Sequence, residues 1–295
     1  MEIGSVKYRI GKSYGFKALV TVFAFACVVP LLFILFFIVR QGITKINWHF
    51  LVNVPKPVGE PGGGIINALV GSIEIIFFSA LIAIPIGIMA GIYLSENRRG
   101  RLAYWCRLCV DILQGVPSIV IGIVAYFWIV KPEFTIHIGF LRLHKSAGFS
   151  AISGSIALAI MMLPIVIRST EETLKLLPSS LQEAAFALGV PYHRVIFKVI
   201  IPVGIGGILS GVMLSIARIT GETAPLLFTA FGNPYLSYNI GKPMQSLPLL
   251  IFNYATSPYD DWKNLAWGAS LILLMWVLLL NISTKLITRK WKVQL

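Results

Sequence analysis

The sequence is poor in charged residues, and poorest in acidic ones. Of its 295 residues only 13% are charged, with 12 acidic residues against 25 basic ones. An average soluble domain carries about 25% charged residues, so this deficit excludes an ordinary water-soluble chain. Apolar residues take their place, since 57% of the residues are hydrophobic and the mean hydropathy is +0.82. A chain of this composition is predicted to reside in a membrane.

Cysteine is also scarce, at three residues. Cys27 lies in an apolar run, and Cys106 and Cys109 form a single C-x-x-C pair. Two thiols without a second pair of ligands make a poor zinc site. We therefore predict no metal site, and we interpret the cysteines as small apolar helix residues in a reducing compartment.

Long apolar runs dominate the sequence instead. A helix needs about 20 apolar residues to cross a bilayer, and six runs with at most one charged residue meet that length. They are Ala18–Val39, Ile65–Leu94, Ile112–Val130, Gly148–Ile167, Val199–Ala217 and Asn264–Thr284. The predicted fold is an all-α polytopic membrane protein with six transmembrane helices. The first run has 22 uncharged residues, too many for a signal-peptide core, and is expected to remain as an anchor.

The basic residues predict the orientation of these helices. With the N-terminus in the cytoplasm, the cytoplasmic segments hold 16 of the 25 Lys and Arg residues and the external segments hold nine. This bias places both termini in the cytoplasm, with residues 1–17 as a basic tail. The net charge of +13 is then mainly a topology signal, because no soluble face concentrates it as nucleic-acid binding would require. We predict the lipid bilayer as a partner, and no nucleic acid.

A long connection near the C-terminus raises the question of a seventh span. The stretch Thr223–Gly241 is uncharged, but Gly232, Asn233 and Pro234 interrupt it with a strong turn signal. A seventh span would also move the basic C-terminus outside. Residues 220–263 are therefore predicted as an external loop, and a dip into the membrane where protein covers it stays open.

Glycines at a spacing of four predict close helix packing. They are Gly87 with Gly91 in the second run and Gly207 with Gly211 in the fifth. Small residues at this spacing let two helices approach closely. The signal is equally expected in channels and transporters.

The connector of residues 179–202, SSLQEAAFALGVPYHRVIFKVIIP, is more ordered than a polar loop needs to be. Ser180 and Glu183 have the spacing of a capping box, Gly189 suits the left-handed residue that ends a helix, and Pro191 suits the next first turn. An apolar stripe recurs at helical spacing on Leu181, Ala184, Ala185 and Leu188. The pattern predicts a short helix over about residues 180–190 at the cytoplasmic surface. It either docks into a groove of another protein or lies on lipid.

No segment of this chain is predicted to bind ATP. The stretch IGKS at residues 10–13 matches the end of a phosphate-binding loop, but the glycine that the spacing requires is Val6. No strand precedes the stretch either. Any ATP hydrolysis must therefore come from another chain.

The connector resembles the EAA loop of bacterial ABC-importer permeases, on Glu183-Ala184-Ala185, Gly189 and Pro202. In that family this short helix sits in a cleft of the ATPase subunit, which implies that Glu183, Ala184, Ala185 and Gly189 couple the chain to an ATPase. Two further stretches, GVPSIVIG (115–122) and ARITGETAPLLFTAFGN (217–233), resemble the phosphate-importer permeases, and the second resembles the PstA type more than the PstC type. The stretch PMQSLPLLIFNYA (243–255) fits this resemblance as well.

The resemblance covers roughly residues 65–290 and implies the fold of an ABC type I importer permease in the inner membrane of a prokaryote. It implies a transport subunit that is not an enzyme and holds no cofactor. The partners it implies are a second permease (PstC-like), two ATPase subunits (PstB-like) that bind ATP and Mg²⁺, and an extracytoplasmic phosphate-binding protein (PstS-like). The alternatives are a permease for sulfate or molybdate and an ATP-independent channel or secondary transporter.

Charged residues at the ends of two runs are candidates for the substrate pathway. Arg168 follows the fourth run with Glu171 one turn later, and Arg218 follows the fifth with Glu222 after it. Such residues either mark an ion path or snorkel and fix topology. In the phosphate permeases that the chain resembles, the Arg-x-x-Glu pair and the Arg before GET are functional candidates, which map to Arg168, Glu171 and Arg218.

Two further features of the runs stay open. Gly115 and Pro117 can break the third run and free backbone amides for an anion, with the Ser118 hydroxyl beside them, or they form a packing kink. Glu74, the carboxylate inside the second run, either pairs with a basic residue or lies near the external interface. Arg218 is expected roughly 24 Å above the level of Arg168, at 1.5 Å per residue from Pro202. We therefore expect separate stations along a path rather than one anion cage.

Overall fold

The computed structural model describes residues 3–60, 62–131, 133–138, 141–146 and 148–290. Its helices and strands, in chain order, are α1 (Ile3–Gly42), α2 (Trp48–Val52), α3 (Ile66–Glu96), α4 (Arg101–Gly115), α5 (Ser118–Ala125, continued by a π-helical turn at Tyr126–Val130), β1 (Glu133–Ile138), β2 (Leu141–Ser146), α6 (Ala151–Lys175), α7 (Ser179–Ala187), α8 (Tyr192–Val195, continued by a π-helical turn at Ile196–Ile200), α9 (Ile201–Thr220), α10 (Ala224–Thr229), α11 (Leu247–Ala255) and α12 (Asp260–Lys290). The predicted all-α class is confirmed, with one addition. Strands β1 and β2 form an antiparallel hairpin whose register runs from Glu133 opposite Ser146 to Ile138 opposite Leu141.

Within the described residues, five helices are long and apolar enough to cross a membrane, and a bent pair makes a sixth. The five single helices are Tyr8–Gly42, Ile66–Glu96, Ala151–Lys175, Tyr192–Thr220 and Asp260–Leu286. The bent pair is α4 and α5, which meet at 107°. The predicted break is therefore present: Val116 and Pro117 are extended, because a residue before proline avoids the helical region and proline donates no hydrogen bond.

Helix α6 lies at the centre of the bundle, held closely on two sides. On one side Gly87 and Gly91 of α3 lie against Val166 and Thr170. On the other side, a Cβ atom added to Gly211 of α9 would overlap the Ser169 side chain. Both glycine pairs thus pack as the four-residue spacing predicts. They fix how α6 is rotated, and so which of its residues face outward.

Helix α6 also extends further than its apolar run. The run ends at Ile167, but the helix continues through RSTEETLK to Lys175. Arg168 therefore lies about two turns before the end of the helix, rather than at the end.

The connector forms the predicted short helix with a different start. Helix α7 begins at Ser179 after Pro178, and no side chain caps it, so the predicted capping box is wrong. The Leu181 amide donates instead to the Pro178 carbonyl, at 3.2 Å. The predicted glycine stop is confirmed, since Gly189 has a φ of +73°. The amides of Gly189 and Val190 donate to the carbonyls of Phe186 and Ala185, which is a Schellman motif.

The connection between α9 and α12 contains no seventh span. Helix α10 ends at Thr229, and Phe231 and Gly232 follow with positive φ angles, as the turn signal predicts. Both short helices of this connection pack back among the long ones. Pro225 of α10 lies against Gly122 of α5, and Leu247 at the start of α11 is fully buried.

Candidate functional site

A cavity of about 720 Å³ lies between the end of α4, α6 and α9. Arg168 of α6 and Arg218 of α9 both contribute to its wall. The other polar side chains of the wall belong to Gln114, Ser169, Glu172, Thr173 and Ser210. Two guanidinium groups with amide and hydroxyl donors around them are suited to an oxyanion, because arginine presents a planar fork of N–H donors.

The two arginines lie closer in height than the sequence suggested. Ser169 lies against Gly211, and Arg218 follows Gly211 by seven residues, or roughly 10 Å along the helix axis. The larger expected offset assumed that Arg168 lies at the level of Pro202. Because α6 continues two turns beyond Arg168, that arginine is raised towards Arg218 and both reach one cavity.

The ion pairs around these arginines differ from the sequence pattern. Arg168 lies 3.0 Å from Glu172 through Nε and 3.7 Å from Asp111 of α4 through Nη1. Arg218 lies 3.7 Å from Glu222, so Glu222 contacts the site through Arg218. Among the described contacts Arg168 does not pair with Glu171, whose carboxylate is bonded to Arg107 and Lys175 instead.

Glu171 is directed towards α4 and is almost completely buried, with 1% of its side chain exposed. Its Oε1 atom accepts hydrogen bonds from Arg107 Nε at 2.6 Å and from Lys175 Nζ at 2.5 Å. Arg107 also donates to the Leu94 carbonyl at 2.6 Å, close to the end of α3. This cluster joins α3, α4 and α6. Buried charges are retained in proteins when they are paired in this way.

Sequence reasoning missed Arg107 and Lys175 as partners of Glu171. It counted both only as basic residues that set the topology. The pairing with Lys175 had a signal, because residues four apart on a helix are neighbours. The pairing with Arg107 had none, since 64 residues separate it from Glu171.

The break between α4 and α5 lies beside the cavity. Gln114 Nε2 donates to the Pro164 carbonyl of α6 at 3.4 Å, and a small cavity of about 10 Å³ next to the break is lined by Val116 and Arg218, among others. Ser118, predicted as an anion contact, is the first residue of α5. Within the described part of the chain it lines neither cavity.

The connector helix α7 is attached on one face and free on the other. Ala185 is buried in the main core, and Gln182 Nε2 donates to Glu96 Oε1 at the end of α3, at 2.9 Å. The predicted coupling residues Glu183, Ala184 and Gly189 are exposed. Leu188 and Phe186 beside them are 83% and 43% exposed. The predicted apolar stripe is thus divided, with Ala185 inward and Ala184 and Leu188 outward.

A second cavity, of about 490 Å³, lies between residues 45–63 and the start of α12. Lys45, His49 and Lys56 line it together with Glu60 and Asp261. Sequence reasoning did not predict this cavity. Its mixed charges favour neither an anion nor a cation.

Glu74 has no ion pair among the described residues. Its Oε2 atom is buried without a hydrogen-bond partner there. Of the two alternatives that the sequence left open, pairing with a basic residue is therefore not formed within this part of the chain.

The sequence profile described as "binding-protein-dependent transport system inner membrane component" matches residues 83–293. The protein of Yersinia pestis named "phosphate transport system permease protein PstA" is 43% identical over 263 residues, covering 89% of this chain and 85% of the relative. The Haemophilus influenzae protein of the same name is 42% identical, covering 87% of this chain and 86% of the relative.

More distant proteins align over comparable lengths. The Mycobacterium tuberculosis protein named "phosphate transport system permease protein PstA 1" is 34% identical, covering 96% of this chain and 90% of the relative. Among solved structures, an inward-facing structure of the MetNI methionine ABC transporter matches with a TM-score of 0.60 at 17% identity. The match covers 78% of this chain and 96% of the MetNI chain. At that identity the similarity shows the fold alone.

Proposed function

The chain belongs to the family of binding-protein-dependent transport system inner membrane components, and we propose that it forms half of the translocation path of an ATP-driven phosphate importer. One observation carries the proposal: relatives named as phosphate permeases align with 85% or more of their own length. The cavity with Arg168 and Arg218 supports an anionic substrate. Sulfate or molybdate is not favoured, because these relatives are named for phosphate. An ATP-independent channel is not favoured either, because the matched family depends on binding proteins.

The proposed orientation places both termini and α7 in the cytoplasm. The support is the excess of Lys and Arg in the segments on that side. In this orientation α7 meets one of the importer's two ATPase subunits, which hold ATP and Mg²⁺, and this chain catalyses no reaction itself. A second, PstC-like permease completes the path, and a PstS-like binding protein delivers phosphate from the other side.

The exposed face of α7 is the proposed coupling surface. Glu183, Ala184 and Leu188 are exposed there, and small residues allow a helix to enter a groove closely. Gln182 and Tyr192 both contact the Glu96 carboxylate, at 2.9 and 3.4 Å. A displacement of α7 by the ATPases would therefore be passed to the end of α3.

In the proposed mechanism Arg168 and Arg218 bind phosphate on its way through the cavity. An arginine binds a phosphate through two parallel N–H···O bonds. The roughly 10 Å between their levels along the helix axis suits transfer from one arginine to the other. Glu171 has a positioning role, because its contact with Arg107 holds α4, and with it Gln114, against α6.

Uptake of radiolabelled phosphate by the assembled importer tests the proposal. Arg168→Gln and Arg218→Gln are expected to abolish uptake while the subunits still assemble, because glutamine retains hydrogen bonding but not the positive charge. Arg40→Gln, at the end of α1 and outside the cavity, is the matched control for charge at a helix end and is expected to retain uptake. Competition with unlabelled sulfate addresses selectivity. Uptake that sulfate suppresses more strongly than phosphate would overturn the assignment of phosphate.

A further inference from the structure

The guanidinium group of Arg168 is already occupied by carboxylates of this chain. Glu172 lies 3.0 Å from its Nε atom, and Asp111 lies 3.7 Å from its Nη1 atom. Arg218 is paired with Glu222 at 3.7 Å. Around the cavity, three carboxylates thus face two arginines. An anion that enters meets arginines whose charge is more than balanced by these carboxylates.

Carboxylate and phosphate oxygens compete for the same N–H donors of an arginine. A phosphate can therefore bind Arg168 fully only if Glu172 and Asp111 withdraw. Both are free to do so, since their side chains are 63% and 54% exposed in this chain. Exposed pairs of this kind are weak and exchange readily.

The neighbouring carboxylate on α6 behaves differently. Glu171 is 1% exposed and is held by Arg107 and Lys175. Because the Arg107–Glu171 contact fixes α4 against α6, Asp111 can leave Arg168 by rotating its side chain while the helix stays in place. Two adjacent glutamates therefore serve different purposes: one holds the helices and the other is exchangeable.

We propose that Asp111 and Glu172 are exchange counter-ions of Arg168, which pair with it in the empty importer, give way to phosphate and return as phosphate leaves. The inference rests on the proposed function. The returning carboxylates compete with bound phosphate and so shorten its stay. They control the rate of phosphate release, and they lie beside the arginine rather than in the Arg-x-x-Glu pattern.

Equilibrium binding of radiolabelled inorganic phosphate to the purified permease–ATPase complex, without its binding protein, tests this exchange. The double variant Asp111→Asn with Glu172→Gln is expected to bind phosphate about tenfold more tightly than the unaltered complex, and each single variant about threefold, because one exposed ion pair contributes about that factor. Arg168→Gln is expected to lose the binding. Asp260→Asn removes a carboxylate that pairs with Lys263 in α12, away from the cavity, and should bind phosphate as the unaltered complex does.

A second readout separates exchange from a structural effect. In proteoliposomes with the binding protein present, the double variant is expected to show a lower maximal rate of phosphate uptake, because release is slowed, while size-exclusion chromatography shows intact assembly. Equal or weaker phosphate binding by the double variant overturns the inference, including the case in which no binding is measured. If Arg168→Gln still abolishes uptake in that case, the proposed function stands. If the unaltered importer accumulates another anion and no phosphate, the proposed function itself fails.

Discussion

Replacement of Glu171 by glutamine separates a structural role of this carboxylate from a role in transport. Removing one partner of a buried ion pair costs about 3–5 kcal/mol. Here the two cationic side chains remain partly exposed to solvent, Arg107 by 19% and Lys175 by 34%. Arg107 also retains the Leu94 carbonyl as a hydrogen-bond acceptor. We therefore expect a loss of about 2–3 kcal/mol in the free energy of unfolding. For a chain of this size that corresponds to a fall of about 5–10 °C in the unfolding midpoint.

The assay is thermal unfolding of the purified complex in detergent. Glu172→Gln is the matched control, because it removes a neighbouring carboxylate that is 63% exposed, and its midpoint should change by about 1–2 °C at most. Arg107→Gln should not add to Glu171→Gln, since the two side chains share one contact. Equal midpoints for Glu171→Gln and Glu172→Gln would refute the reasoning. Uptake per assembled complex, measured alongside, then reports any direct role of Glu171 in transport.

Two glycine substitutions test the packing and the coupling helix. Gly211→Val should greatly lower the amount of assembled complex in the membrane, because its Cβ atom would overlap Ser169. In Gly221→Ala the added Cβ atom would meet only the Arg218 carbonyl, at 3.9 Å, so this variant should assemble normally. Similar amounts of both would contradict the close packing of α6 and α9. Gly189→Val forces a β-branched side chain into a φ of +73°, at a cost of about 1–2 kcal/mol, and should lower phosphate uptake while ATP hydrolysis by the complex continues. Uptake and hydrolysis that fall in parallel would speak against a coupling role for the end of α7.

Features that depend on short stretches of chain were predictable. Length and hydropathy suffice for a membrane helix, because the bilayer core has one thickness and the backbone must be satisfied within the helix. Gly189 was recognised as a helix stop because a left-handed φ favours glycine over other residues. The break at Pro117 was predictable for a similar reason, since proline constrains its own backbone and that of Val116.

Predictions from local sequence patterns were wrong where two signals in the sequence competed. Ser180 and Glu183 have the spacing of a capping box with Ser180 as the N-cap. The observed N-cap is Pro178, two residues earlier, because its carbonyl accepts the first hydrogen bond, from the Leu181 amide. The end of α6 was placed at Ile167 because apolar residues stop there. Polar residues remain good helix formers, so the helix continues to Lys175.

The sequence by itself determined that this chain is a helical membrane protein with a rigid connector, and its stretches indicated a permease. These conclusions rest on interactions between residues within a few helical turns of each other. The tertiary structure decided which charges meet. Glycines of α3 and α9 pack against α6 on two sides and set its rotation. This rotation directs Glu171 towards Arg107. It leaves Arg168 with Glu172 and Asp111 beside the cavity. The rotation of α6 cannot be predicted from the spacing of residues in the sequence, because the rotation follows from the packing of three helices at once.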